Sequence, residues 1–160
     1  MREKIFDRHT LLELLQARRG ADPGFKLVFT NGCFDLLHVG HTRYLWAARR
    51  EGGALCVALN DDASISRLKG PERPILKLQE RLQVIAGLAC VDYVTWFDED
   101  TPIPLLALFR PDILVKGANY GIDGVVGREL VEAYGGEVRT LGLTENRSTT
   151  DLVSKVRTQR

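Results

Sequence analysis

Two histidines, His38 and His41, stand three residues apart in the stretch Thr30-Asn31-Gly32-Cys33-Phe34-Asp35-Leu36-Leu37-His38-Val39-Gly40-His41. At that spacing both imidazoles project from one side of a helical turn. Two ring N–H groups there can donate to phosphoryl oxygens as negative charge builds in a transition state. Gly40 between them lets a ligand come close to the backbone. A metal would want a third ligand, and no protein-held metal site is expected. Further along, Asn146-Arg147-Ser148-Thr149-Thr150 combines hydroxyls and one guanidinium ahead of a helix. That combination suits the end of a polyphosphate. Lys69-Gly70-Pro71-Glu72-Arg73-Pro74 is a stiff basic loop, and Lys116-Gly117 closes a strand. Taken singly, each of these motifs also fits a cap, a turn or a solvated charge.

The elements around these residues decide between those readings. Residues 10–19 read as a helix with capping-box spacing at Thr10 and Glu13 and a stop at Gly20. It is free to pack on the sheet or on a neighbouring subunit. From Lys26 onward strands and helices alternate. Strands are expected at Lys26–Phe29, Ala54–Leu59, Val91–Phe97, Ile113–Val115 and Glu137–Leu141. Helices are expected at Val39–Arg50, Lys77–Leu88, Pro102–Phe109, Val125–Tyr134 and Thr149–Arg157. The strands are apolar throughout, as in a sheet covered on both faces. The expectation is therefore an α/β fold with a doubly wound, five-stranded parallel sheet. It forms a single domain over 1–160, with 1–24 as a helical extension. Ligands in such folds sit beyond the C-terminal strand ends. This directs attention to loops 30–41, 60–76, 116–124 and 142–149, where the basic residues fall. The histidine stretch follows the first strand and opens a helix, so free N–H groups and the helix dipole favour a phosphate there.

Composition removes other classes. The chain has 160 residues, with 22 Lys plus Arg against 21 Asp plus Glu and a formal net charge of +1. A polycationic nucleic-acid binder is not expected, and neither is a membrane span. Three well-separated cysteines without a Cys-x-x-Cys fit a reduced, cytoplasmic protein. Neither Gly-x-x-x-x-Gly-Lys-Ser/Thr nor Gly-x-Gly-x-x-Gly occurs. Near-neutrality therefore averages a local concentration of cationic groups over a mixed surface: His38, His41, Lys69, Arg73, Lys116 and Arg147.

The pattern Gly32-x-Phe34-Asp35-x-x-His38-x-Gly40-His41 resembles the signature of the nucleotidyltransferases with an HxGH motif, a Rossmann-like group. Other segments are similar to the heptose 1-phosphate adenylyltransferase branch, often the C-terminal half of a bifunctional heptose kinase/adenylyltransferase. They are Phe29–Asp35, Leu68–Gly70, Arg73–Ile75, Val91–Val94, Phe97–Pro102, Lys116-Gly117, Val126-Gly127 and Arg147–Thr150. The resemblance covers residues 25–157. It implies transfer of AMP from ATP to a heptose 1-phosphate, giving ADP-heptose and pyrophosphate by direct attack, with Mg²⁺ accompanying ATP.

Carried over by position, the resemblance assigns His38 and His41 to the ATP phosphates and the transition state. Lys69 and Arg73 go to the sugar phosphate or the phosphoryl group. Thr30, Asn31, Gly32, Phe34, Gly40, Lys116, Arg147, Ser148 and Thr149 form the nucleotide site. Asn119 faces substrate, and Asp35 orients or caps at the substrate side. A homo-oligomer is expected. Two positions depart from the branch. Its Lys-Gly-Gly-Asp-Tyr is Lys116-Gly117-Ala118-Asn119-Tyr120 here, and its Glu-Gly-Arg is Glu145-Asn146-Arg147. The first bears on sugar or base choice; the second keeps a residue tolerant of left-handed backbone. GTP or CTP as donor, glycerol 3-phosphate or flavin mononucleotide as acceptor, and a non-catalytic nucleotide-binding regulator stay open.

Overall fold

A computed structural model of the chain describes residues 3–117 and 121–142. Five strands, β1 (Leu27–Gly32), β2 (Ala54–Asn60), β3 (Tyr93–Phe97), β4 (Ile113–Gly117) and β5 (Glu137–Leu141), form one sheet in the order β3-β2-β1-β4-β5. All four pairings are parallel. The chain winds outward from β1 through β2 to β3, then returns to the other side of β1 with β4 and β5. The direction reverses between β1 and β4, which is where a doubly wound sheet opens its ligand crevice. Helices α2 (Val39–Arg49) and α4 (Leu78–Ala86) bury Tyr44, Leu45, Leu82 and Ile85 against one face. Helices α1 (Arg8–Ala21), α5 (Ile103–Phe109) and α6 (Arg128–Ala133) bury Leu11, Leu15, Leu105, Leu106, Phe109 and Val131 against the other. Apolar side chains on both faces of every central strand are what this double cover demands.

Several elements differ from the sequence expectation. Asp7, not Thr10, caps α1: its carboxylate accepts from the amides of His9 and Thr10, and the Thr10 hydroxyl donates to it at 2.6 Å. Helix α1 packs on its own sheet through fully buried Leu11 and Leu15. Ahead of it, residues 4–6 add a short parallel stub to the outer edge of β3. The Phe6 amide donates to Val94 O at 2.9 Å and the Val94 amide to Lys4 O at 2.7 Å. A helix α3 (Asp62–Lys69) occupies nearly half of the loop expected at 60–76. Asp61 caps it by accepting from Ser64 N at 2.6 Å, and Gly70 ends it at φ 96°. Only Ser64 and Ile65 of α3 are buried, so it has no apolar stripe to read. The helix expected at Val125–Tyr134 is a 3-10 turn at Ile122–Gly124 followed by the shorter α6. Gly127, at φ 93°, separates them, and a Cβ there would lie 2.2 Å from the Leu106 side chain. The helix expected at 149–157 lies outside the described residues.

Candidate active site

The crevice begins with an interrupted ladder. β1 pairs with β4 only through Val28–Ile113 and Phe29–Leu114, while β1 runs on beside β2 to Gly32 and β4 beside β5 to Gly117. Continued, that register would set Asn31 opposite Lys116. Instead the Lys116 side chain reaches across, its Nζ donating to Asn31 O at 3.0 Å and to Asn31 Oδ1. Burial of this ammonium lowers its pKa to about 8. Thr30, Asn31 and Gly32 are thus the final residues of β1 and not a loop. The fully buried Thr30 hydroxyl shares a hydrogen bond with that of Tyr44 from α2.

Both histidines sit where β1 hands over to α2. His38 is the N-cap of α2, and its Nδ1 accepts from Gly40 N at 3.1 Å. An accepting Nδ1 places the ring proton on Nε2, which becomes a donor. The His38 and His41 rings lie 3.9 Å apart, and His41 also packs against Phe34 at 5.3 Å. Burial, then the positive fields of His38 and Lys69, lower the His41 pKa to about 4. His41 is therefore neutral at pH 7, where the charge pattern alone would count it among the cations. Its Nδ1 is buried with no hydrogen-bond partner among the described residues. A buried polar atom left this way is costly unless a ligand completes it.

Asp35 does not cap α2; its carboxylate clasps the loop after α3. It accepts from Ile75 N at 2.8 Å, Leu76 N at 3.0 Å and Arg73 Nε at 2.6 Å. The Asp35 side chain is 1% exposed and that of Arg73 13%. Hydrogen bonds from Leu76 and Ile75, with the Arg73 guanidinium, outweigh burial and hold the Asp35 pKa below the usual carboxylate value. Arg73 Nη2 is the second buried nitrogen with no partner among the described residues. Ser66 of α3 donates to Arg73 O at 2.6 Å, tying this loop to the helix that ends at Lys69.

The structure thus gathers His38, His41, Lys69 and Arg73 at the C-terminal end of β1, with Lys116 across the crevice. Phe34 packs at a tilt against His41, and Gly40 lies in the first turn of α2. Asn119, Arg147, Ser148 and Thr149 lie outside the described residues. Among the described residues no cluster of three or more His, Cys, Asp or Glu could hold a metal. One residue the motifs did not point to is Arg81, 1% exposed on α4. Its guanidinium donates to Leu76 O, Cys33 O, Asn60 O and Asp62 Oδ1 at 3.0, 2.7, 2.9 and 2.8 Å. The signal was present: Arg81 falls between Leu78 and Leu82 on the apolar stripe of α4, where a charge needs an internal partner.

A parallel sheet with a histidine pair and converging cations at its reversal point belongs to a nucleotidyltransferase. The chain is a member of the cytidylyltransferase-like family, whose model matches residues 29–154. The protein called bifunctional protein HldE from Ectopseudomonas mendocina is 62% identical over 134 residues, 84% of this chain and 28% of the relative. The protein of that name from Syntrophotalea carbinolica is 53% identical over 153 residues, 96% of this chain and 31% of the relative. The chain therefore spans less than a third of these relatives. Among solved structures, a lipopolysaccharide core biosynthesis protein from Thermoplasma volcanium aligns with TM-score 0.64 at 28% identity. The match covers 76% of this chain and all of that one. The fold is shared with pantoate-beta-alanine ligase from Francisella tularensis, crystallised with beta-gamma ATP and beta-alanine. There the TM-score is 0.60 at 15% identity, over 96% of this chain and 77% of that one. Among the described residues no helix is long and apolar enough to cross a membrane.

Proposed function

We propose that this nucleotidyltransferase moves AMP from ATP to D-glycero-D-manno-heptose 1-phosphate, giving ADP-heptose and pyrophosphate. The observation that carries the reading is a pair of buried nitrogens without a partner among the described residues, His41 Nδ1 and Arg73 Nη2, beside the C-terminal end of β1. Choice of sugar draws on the HldE relatives and on the branch motifs in the sequence.

A phosphate monoester with its second pKa near ~6 is already a nucleophile at neutral pH, so no general base is needed. An oxygen of the sugar phosphate attacks the α-phosphorus. A new P–O bond forms, and the bond from the α-phosphorus to the oxygen bridging to the β-phosphorus breaks, releasing pyrophosphate. The protein's work is to hold two anions together and to stabilise charge on the transferring group. His38 Nε2–H and neutral His41 donate to phosphoryl oxygens. Lys69 and Arg73 meet the acceptor phosphate, and Lys116 meets the nucleotide. Asn119, Arg147, Ser148 and Thr149 complete the assignment from the motif. Asp35 carries no proton in this scheme; bound to three donors, it positions Arg73. The described side chains assigned to the phosphates are donors, and the Asp35 carboxylate beside them is already engaged. Mg²⁺ therefore fits as part of the incoming ATP complex and not as a resident of a protein cage.

A screen of ATP, GTP and CTP against heptose 1-phosphate, glycerol 3-phosphate and flavin mononucleotide, read by pyrophosphate release, tests the reading. The expected result is release with ATP and heptose 1-phosphate, lost in His38→Ala and His41→Ala. Release on another donor–acceptor pair would move the assignment to that pair. Nucleotide binding without turnover on any acceptor would make the chain a regulator.

A further inference from the structure

We propose that Arg81 is a positioning residue of the transfer reaction, its buried guanidinium setting the spacing of the three segments that carry His38 and His41, Lys69, and Arg73. The inference rests on the transferase reading for its kinetic arm only.

Each acceptor of Arg81 belongs to a different part of the site. Cys33, whose carbonyl accepts from Nη1, directly follows β1 and opens the segment leading to His38. Asn60 is the last residue of β2. Asp62 is the first residue of α3, whose last residue is Lys69. Leu76 is held from both sides: its amide donates to Asp35 and its carbonyl accepts from Arg81 Nε. Asp35 in turn grips Arg73. The guanidinium and the Asp35 carboxylate thus form one continuous link from the histidine segment to the arginine loop.

A purely cohesive role would not require this residue type. Replacing a buried ion pair by apolar side chains of similar volume is often neutral or stabilising. What Arg supplies is a rigid planar fork that fixes directions and not merely contacts. Four N–H groups of Arg81 are directed at four acceptors on three segments and a strand end. An ammonium has three N–H groups on a single nitrogen and cannot span them. The segments so fixed carry groups whose misplacement by about 1 Å can cost ~100-fold in rate.

The test compares Arg81→Lys, Asp62→Ala and the double variant Arg81→Lys/His38→Ala, each assayed well below its own Tm. Asp62 is partly exposed, so Asp62→Ala removes one acceptor and keeps the core if Arg81→Lys does not fold. Expected are a kcat about 30- to 100-fold lower in Arg81→Lys, KM changed less than ~3-fold, and a loss of ~3- to 10-fold in Asp62→Ala. Acting through the histidine segment, Arg81→Lys should cost less than ~3-fold once His38 is gone. A folded Arg81→Lys with kcat within twofold of wild type overturns the proposal. So does a cost that multiplies undiminished on the His38→Ala background, and so does Asp62→Ala at full kcat. A second readout needs no turnover. The NMR ring signals of His38 and His41 should shift in Arg81→Lys and Asp62→Ala, while exposed His9 stays put. Wild type inactive on every acceptor overturns the transferase reading alone; unmoved His38 and His41 signals overturn the role of Arg81.

Discussion

Arg81 and Arg73, one buried and the other mostly so, are treated in opposite ways. Arg81 is fully enclosed and meets four acceptors. Arg73 is nearly as enclosed, yet it is held by one nitrogen and keeps another without a partner among the described residues. His41 shares that condition. Burial does not by itself distinguish these two arginines; hydrogen-bond satisfaction does, although a buried atom without a partner among the described residues also occurs away from the site, at Thr95 Oγ1 in β3. At Arg81, where the chain needs rigidity, all three guanidinium nitrogens are engaged internally. Under the proposed reaction, Arg73 and His41 are the groups that receive the anion, desolvated in advance and without a partner among the described residues, which is how preorganised stabilisation arises.

The contrast is sharpest for Arg81→Met. Losing the guanidinium leaves Asp62 and three carbonyls without their partner, so a loss of about 3–5 kcal/mol in unfolding free energy is expected. Denaturant titration checks it. His41→Ala should do the reverse. Thermal stability should change little, while kcat falls by about 100-fold or more, or at least ~2.7 kcal/mol of transition-state stabilisation. If His41→Ala lost stability and kept rate, the division into scaffold and receiving surface would fail.

Titration extends the same comparison. His41 is neutral in the fold below the pH at which it charges when unfolded. The unfolded state therefore binds more protons, and stability falls as pH drops from 6.5 to about 4. His41→Ala should flatten that limb in a pH series of Tm. Lys116 follows the same sign at the other end. With its pKa lowered from 10.5 to about 8, the native state sheds its proton first, so stability rises with pH between those values. Lys116→Met should remove that rise. It should also remove a decline in kcat/KM for ATP above pH about 8, where the free enzyme loses the ammonium. The smallest effect is expected at Arg8→Ala. The Arg8 guanidinium donates to Glu99 at 2.7 and 3.0 Å and holds the Glu99 pKa down to about 2. Both side chains are roughly a third exposed, so the cost is at most about 1 kcal/mol and kcat is unchanged. That stabilisation is full above pH 4.5 and fades as pH falls toward 2.

Much of the fold was legible because its strands are apolar on both faces, a pattern that points to a doubly covered parallel sheet. The order of strand and helix followed from it, and β5 falls at the expected Glu137–Leu141 although Glu137, Arg139 and Thr140 are polar and no residue of it is fully buried. Helix α3 was hidden because just two of its residues are buried, although Asp61 and Gly70 mark both its ends. Pattern alone also ended β1 and β4 too early. Thr30, Asn31 and Lys116 are polar, and their strand positions depend on cross-chain partners that no local window contains. Within the site, the histidine motif stood out because its spacing is local. The roles of Asp35 and Arg81 did not, since they depend on contacts distant in the chain, 38 residues away for Asp35–Arg73 and 19, 21 and 48 for Arg81 with Asp62, Asn60 and Cys33.

The stub at residues 4–6 has a consequence beyond the site. Without it, the outer side of β3 would present bare amides and carbonyls to solvent, a template onto which another polypeptide could add a strand. The stub occupies Val94 on both its N–H and C=O, and α1 then carries the chain back over the sheet face. A variant lacking residues 3–6 should show its defect first as concentration-dependent self-association, with light scattering rising before any catalytic parameter changes.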